Sequence, residues 1–268
     1  MTWIFLDKKG EDGYMQKFAQ GCGSVTTLLE SWNYEDSQDT LVLRGIMKHK
    51  IIKRCWEENR PFYYMDSGYL GNKISNRNPQ GWKFYHRVVP NNLQHNTVIP
   101  RPGDRWDALG IKLQNKKQGK NIVVVFPDDK PCTFYNVDRE QWIESTLSTI
   151  KQNTDRPIVV RDRTASRRFR VASSFDEMLQ DAFATVTFNS IAATESIIAG
   201  VPAFVSAPSN AALPVSNTDL KNIDDPWWPS DDERQAWANH LAYGQFHVTE
   251  LANGTAYRIL KETEDLNA

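Results

Sequence analysis

The stretch Ala184–Ser206, ATVTFNSIAATESIIAGVPAFVS, constrains the fold of this chain more than any other. Ala184 to Phe188 is a short apolar run with β propensity, and Asn189-Ser190 supplies residues that cap helices. Ile191, Thr194 and Ile198 then recur at helical spacing. Gly200 stops the helix, Pro202 forbids its continuation, and Ala203 to Val205 resumes a strand. Strand, helix and strand in this order make a parallel crossover unit. A helix start just after a parallel strand offers unpaired N–H groups and the positive end of a dipole, which suits a phosphate. Glu195 lies in the second turn, too far along to close a capping box, and is free to face a ligand. An ordinary capped helix satisfies the same pattern.

The same grammar recurs on both sides. Asn121 to Phe126 is a continuous apolar run, as a strand covered on both faces requires. Pro127 to Tyr135 reads as a long loop, Asp138 opens a helix through Gln152, and Pro157 to Val160 is the next strand. Earlier, Trp3 to Leu6, Thr40 to Leu43 and Phe62 to Met65 read as strands, with helices over Gly13 to Ala19 and Ile46 to Asn59. The expected fold is α/β, with two Rossmann-like halves built on parallel sheets and the N-terminal one reduced. The polar stretch Gln114 to Lys120 reads as a linker. The expected domains are therefore 1–115, 120–225, and C-terminal helices over 226–268 that pack back on the first domain. Within that tail, Asp231 to Tyr243 and Val248 to Leu260 read as helices after the aromatic turn DDPWWPS.

Composition narrows the function. The chain has 268 residues and a net charge of −1, so the molecule as a whole does not advertise a polyanionic partner. Three scattered cysteines without a CxxC pair fit a reducing compartment, and five dispersed histidines without HExxH argue against a metal site. No run approaches the ~18 apolar residues of a membrane span. Neither GxxxxGK[ST], GxGxxG nor GxSxG is present, which removes the P-loop, the dinucleotide fingerprint and the serine-hydrolase elbow.

Chemistry is expected at strand carboxyl ends. Arg161 to Arg170, RDRTASRRFR, holds five arginines in ten residues, and guanidinium forks match phosphate oxygens bidentately. Arg163, Arg167, Arg168, Asn189, Ser190 and Glu195 are the candidate residues for binding a nucleotide diphosphate, with the glutamate accepting from ribose hydroxyls. Asp66, in MDSGY at a strand end, is the candidate base if burial raises its pKa; a turn aspartate bonding its own backbone gives the same sequence. Lys48, Lys50 and Arg54 spread over a broad helix face that either meets phosphates or is solvated. Tyr69, His86, Arg87, His95 and Arg105 complete the candidate binding set outside the nucleotide site.

TFNSIAATESIIAGVPAFV resembles the strand–helix–strand of GT-B glycosyltransferases, where a polar residue starts the helix and an acid one turn on binds the donor. YYMDSGYLGN, FYHRVVPNNLQHN, RPGDRWDALGI and WANHLAYGQFH are similar to small bacteriophage proteins of that fold, some relatives of which transfer sugars to hydroxylated or hydroxymethylated pyrimidines in phage DNA. The likeness spans about Thr40 to Leu260. It implies a UDP-sugar co-substrate of arabinose or glucose type, no further cofactor, and a modified cytosine in double-stranded DNA as acceptor, flipped out of the stack. It also implies a cytoplasmic setting, the host's if the chain is phage-encoded, with no membrane partner. A saccharide or small-molecule acceptor, or a binding protein without catalysis, remains open on the residues alone.

Overall fold

The computed structural model describes residues 2–8, 10, 12–72, 84–162 and 174–266. The chain divides into two compact units, Met1–Gln94 with Leu241–Ala268, and His95–His240.

The first unit contains β1 (Trp3–Asp7), α1 (Gly13–Gly21), β2 (Thr26–Leu28), β3 (Thr40–Arg44), α2 (His49–Glu57), β4 (Phe62–Ser67) and β5 (Tyr85–Pro90). The second contains α3 (Asp104–Ala108), β6 (Asn121–Val125), α4 (Asp129–Tyr135), α5 (Arg139–Asn153), β7 (Ile158–Arg161), α6 (Phe175–Met178), β8 (Ala182–Thr187), α7 (Ala192–Ile198) and β9 (Ala203–Val205). Helix α8 (Asp231–Tyr243) carries the chain out of it, and β10 (Gln245–His247), α9 (Val248–Ala252) and α10 (Thr255–Leu266) belong to the first.

The first sheet runs β10-β5-β4-β3-β1-β2 and the second β7-β6-β8-β9. In the first, β2, β1, β3 and β4 are parallel, while β5 and β10 add antiparallel strands beyond β4. The second is parallel throughout. Each parallel set places its first strand between its second and third, so each has a topological switch point where ligands of open α/β sheets bind. The mixed α/β class with two Rossmann-like halves is thus present. Among the described residues the first sheet has six strands and the second four.

The apolar run of β6 has both faces covered. Ile122 and Val124 pack with Ile150, Val186 and Phe204, and Val123 and Val125 with Phe175, Leu179, Ala192 and Val201. In the first unit Trp3, Phe5, Phe18, Val42, Tyr63 and Phe246 share one core. Among the described residues no helix is long and apolar enough to cross a membrane.

Four local expectations are corrected. Pro127 to Tyr135 is not all loop, because Pro131 falls in the first turn of α4, where its missing N–H costs nothing. The final helix is broken at Gly254 (φ +85°) into α9 and α10. Helix α7 starts later than Asn189-Ser190 implies, with Ile191 at its cap; its buried residues are Ala192, Ala193, Thr194, Ser196 and Ile197, while Ile191 and Ile198 are half-buried. Gln114 to Lys120 is no linker between units. Its backbone donates from Gln114 to Ile198 O (2.9 Å), from Lys117 to Gly200 O (2.7 Å) and from Lys120 to Asp181 O (2.9 Å), all within the second unit.

That strap explains Gly200. Its φ is +81°, and a Cβ there would lie 2.0 Å from the carbonyl oxygen of Asn115. Gly200→Ala is therefore expected to cost about 3 kcal/mol or more in urea unfolding, against under about 1 kcal/mol for an Ala placed at Gly13, where nothing lies within 4 Å.

Candidate functional site

In the first unit the carboxyl ends of β1 and β3 deliver Asp7 and Arg44 side by side. Asp12 caps α1, its Oδ1 accepting from Tyr14 N–H (3.1 Å) and Met15 N–H (3.2 Å). Its Oδ2 pairs with Arg44 at 2.8 Å, and Asp7 accepts from Asp12 N–H at 3.0 Å. The Arg44 guanidinium lies 5.0 Å from the Tyr14 ring centroid, and that ring contacts buried His86 at 4.2 Å. Lys48 reaches over to donate to the carbonyl of Leu6. Burial lowers the Lys48 pKa, against the pull of Asp7 and Asp12. Two acids and two bases thus meet at this switch point. Sequence reading missed Asp7, Asp12 and Arg44, although each sits at a strand end or a helix cap.

Asp66 and Arg87 face each other across β4 and β5 (3.3 Å). Asp66 also accepts from the Tyr64 hydroxyl (2.8 Å) and from Ser67 N–H (2.8 Å). Burial by itself would raise the Asp66 carboxyl, but the Arg87 charge and these two donors hold it below its ordinary value. The condition on which a basic role was expected is therefore reversed. The side chain is 37% exposed, so it remains reachable. Arg87 is buried and also donates to Ser67 O (2.7 Å) and Leu93 O (3.2 Å), and its guanidinium lies 5.4 Å from the Tyr69 ring.

The remaining acceptor-side candidates are divided between the two units. Arg54 pairs with Glu35 and Glu58 and stacks on Tyr34 at 3.8 Å. Tyr69 is buried, donating its N–H to Gln245 (2.8 Å). His95 and Arg105 are half-buried in the second unit. Of the eight, Lys50 alone is exposed. Of the basic residues read along this helix, Lys48 is taken up by a carbonyl and Arg54 by two acids.

In the second unit the switch point lies between β6 and β8, so Phe126 to Asp128 and Phe188 to Ser190 flank it. Asn189, Ser190 and Glu195 are half-buried there. Ser190 takes up two of the N–H groups expected to meet a phosphate: Ala192 donates to its Oγ (3.2 Å) and Ala193 to its carbonyl (3.3 Å). Arg163, Arg167 and Arg168 lie outside the described residues, while Arg161 stands over the Phe175 ring at 4.6 Å. Arg139, which sequence reading passed over, donates to Pro127 O (2.9 Å) and pairs with Glu140 (2.6 Å) and Asp162 (3.4 Å). The described charge at this edge is thus balanced rather than strongly positive. A cavity of about 40 Å³ beside it, lined by Trp142, Thr146, Thr187, Ser206 and Thr218 among others, is too small for a nucleotide. Among the described residues no cluster of three His, Cys, Asp or Glu side chains could hold a metal.

His240 is the other displaced titration. Buried in the second unit, it accepts the Ile99 N–H on Nδ1 (3.4 Å), which puts its proton on Nε2, and it meets the His95 ring edge-on at 5.0 Å. Burial, aided by the Arg101 charge, lowers its pKa to about 4. A lowered histidine favours the neutral form in the folded state. Its stabilisation is therefore complete above the unfolded value of about 6.5 and is lost as pH falls toward about 4. Parent protein should lose about 3 kcal/mol more than His240→Gln over that window in urea unfolding; parallel pH profiles would refute the assignment.

No family model and no curated protein matches the sequence. Solved structures do. The β-Kdo 2,7 transferase of Thermosulfurimonas dismutans KpsC aligns with a TM-score of 0.52 at 12% identity, over 95% of this chain and 99% of that one. The β-Kdo 2,4 transferase of the same organism's KpsC aligns with a TM-score of 0.47 at 10% identity, over 83% and 85%. The two sheets with their carboxyl-edge switch points, taken with the 2,7 transferase likeness, make the fold of this chain GT-B-like.

Proposed function

We propose that this protein is a glycosyltransferase using a nucleotide-activated sugar. The observation that carries the reading is the extent of the fold likeness, 95% of this chain and 99% of the 2,7 transferase chain, which takes in both Rossmann-like halves rather than one nucleotide-binding module. In this reading the donor lies along the carboxyl edge of β6 and β8, with Asn189 and Ser190 at its phosphates and Glu195 at its ribose. Arg163, Arg167 and Arg168, which follow β7 in sequence, supply charge for the leaving group. An acceptor hydroxyl attacks the anomeric carbon; the new C–O bond forms as the bond from that carbon to the phosphate oxygen breaks, the nucleotide departs with that electron pair, and the hydroxyl proton passes to water. With three donors on its carboxylate, Asp66 is a weak base, and its role is to hold Arg87 and Tyr64 in place.

The finer reading is a UDP-sugar donor and a hydroxylated cytosine in duplex DNA as acceptor. The resemblance to phage proteins supports it, and the internal engagement of Lys48, Arg54 and Arg87 counts against it. The transferase name of the structural neighbour adds activated Kdo to the donors to be tried. Mass spectrometry of hydroxymethylcytosine duplex and of oligosaccharides, each incubated with UDP-glucose, UDP-arabinose or activated Kdo, decides between them. One acceptor should gain the mass of one sugar residue. Glu195→Gln should raise the donor KM about tenfold with kcat little changed. Absence of both donor binding and transfer across the panel would sink the proposal.

A further inference from the structure

The polar cluster at the switch point of the first sheet has no part in the donor chemistry above. Asp7 ends β1 and Arg44 ends β3, while Asp12 and Lys48 come from the turns that follow those strands. Asp12 Oδ2 and the Arg44 guanidinium meet at 2.8 Å, with their side chains 20% and 24% exposed. Lys48 lies within reach of the Asp7, Asp12 and Arg44 charges. The Arg44 charge also reaches Asp66, which Arg87 balances.

The two turns that carry this cluster are open. A Cβ added at Gly13, next to Asp12, or at Gly45, next to Arg44, would meet nothing within 4 Å. Gly13 begins α1, and helical Cα–Cβ bonds tilt toward the amino end of the helix. The space beyond that end, at the carboxyl edge of the sheet, is therefore unfilled. The polar groups around it are already fixed by one another, so a ligand would meet little ordering cost on binding.

The charges select what could fill that space. Asp7, Asp12 and Asp66 stand against Arg44, Lys48 and Arg87, so acids and bases are equal in number. An anion would meet as many carboxylates as cations, whether it is a nucleic acid or a sugar acid. An apolar ligand would strip water from these groups without replacing its bonds. A backbone amide splits donor and acceptor between separate groups. A hydroxyl does both through one oxygen, so it can donate to Asp12 while accepting from Arg44 or Lys48. The cations keep N–H groups for this purpose, since Asp12 engages only Arg44 Nη1 and the Lys48 ammonium gives one bond to Leu6 O. Neighbouring hydroxyls on one ring repeat the match. We infer that the switch point of the first sheet binds a neutral sugar through Asp12, Arg44 and Lys48. The inference deepens the glycosyltransferase reading and rests on it for one point, that this sugar is the acceptor.

Saturation-transfer NMR on the full chain tests it, with the methyl glycosides of glucose, galactose and mannose, methyl glucuronide and oligothymidylate as probes. At least one neutral glycoside should take up saturation and bind more tightly than the two anions. Asp12→Asn keeps a side chain that caps α1 but removes the charge, and should raise the Kd of that glycoside about tenfold or more. Gly13→Leu fills the open space and should abolish binding, with thermal unfolding showing that the variant is folded. The inference is overturned if no neutral glycoside takes up saturation, if either variant binds as the parent does, or if the glucuronide or oligothymidylate binds as tightly. Nucleotide-sugar binding is measured in parallel. Donor binding without glycoside binding sinks this inference alone, whereas glycoside binding without donor binding upholds the sugar site and sinks the transferase reading.

Discussion

Parallel strands cannot be joined by a hairpin, and that constraint arranges the rest of this molecule. Each crossover has to travel back along the sheet, so helices cover its faces and loops gather at the carboxyl ends. Both sheets place the first strand of their parallel set between the second and third. Successive crossovers at that strand lie on opposite faces, and a crevice opens between their loops. Asp7 and Arg44 in one unit, and Asn189 and Ser190 in the other, stand where they do because of this winding.

The polar groups at these edges are held by one another before any ligand arrives. Arg44 is set by Asp12 and Tyr14, Arg87 by Asp66 and two carbonyls, and Arg139 by Pro127, Glu140 and Asp162. Fixed dipoles and charges of this kind need little reorganisation when charge develops on a reacting atom. They also explain why counting basic residues along α2 overstates the positive surface. A guanidinium already bonded to carboxylates and carbonyls contributes orientation more than field.

Much of the fold was legible because hydrophobic patterns and stop signals are local. The NIVVV run, the Asp138 cap, Gly200 and Pro202 announce their structures without reference to distant chain. What was not legible depended on partners far away in sequence. Gln114 to Lys120 is polar like a linker, but its role as a strap comes from carbonyls at Asp181, Ile198 and Gly200. Strand β10 is three residues long, defined by pairing with β5 rather than by its own pattern. Asp66 reads as a base until Arg87 appears opposite it, two decades of residues later.

The return of the chain after α8 has a consequence for biosynthesis. The second unit is continuous, His95–His240, whereas the first needs Leu241–Ala268 to complete its sheet and core. Until those residues leave the ribosome, β5 has no strand on its outer side, and the pocket for Phe246 and Leu251 against Phe18 and Val88 stands unfilled. The later-coded unit is therefore the one able to close first, and the nascent chain has to keep an open sheet edge soluble while it does so.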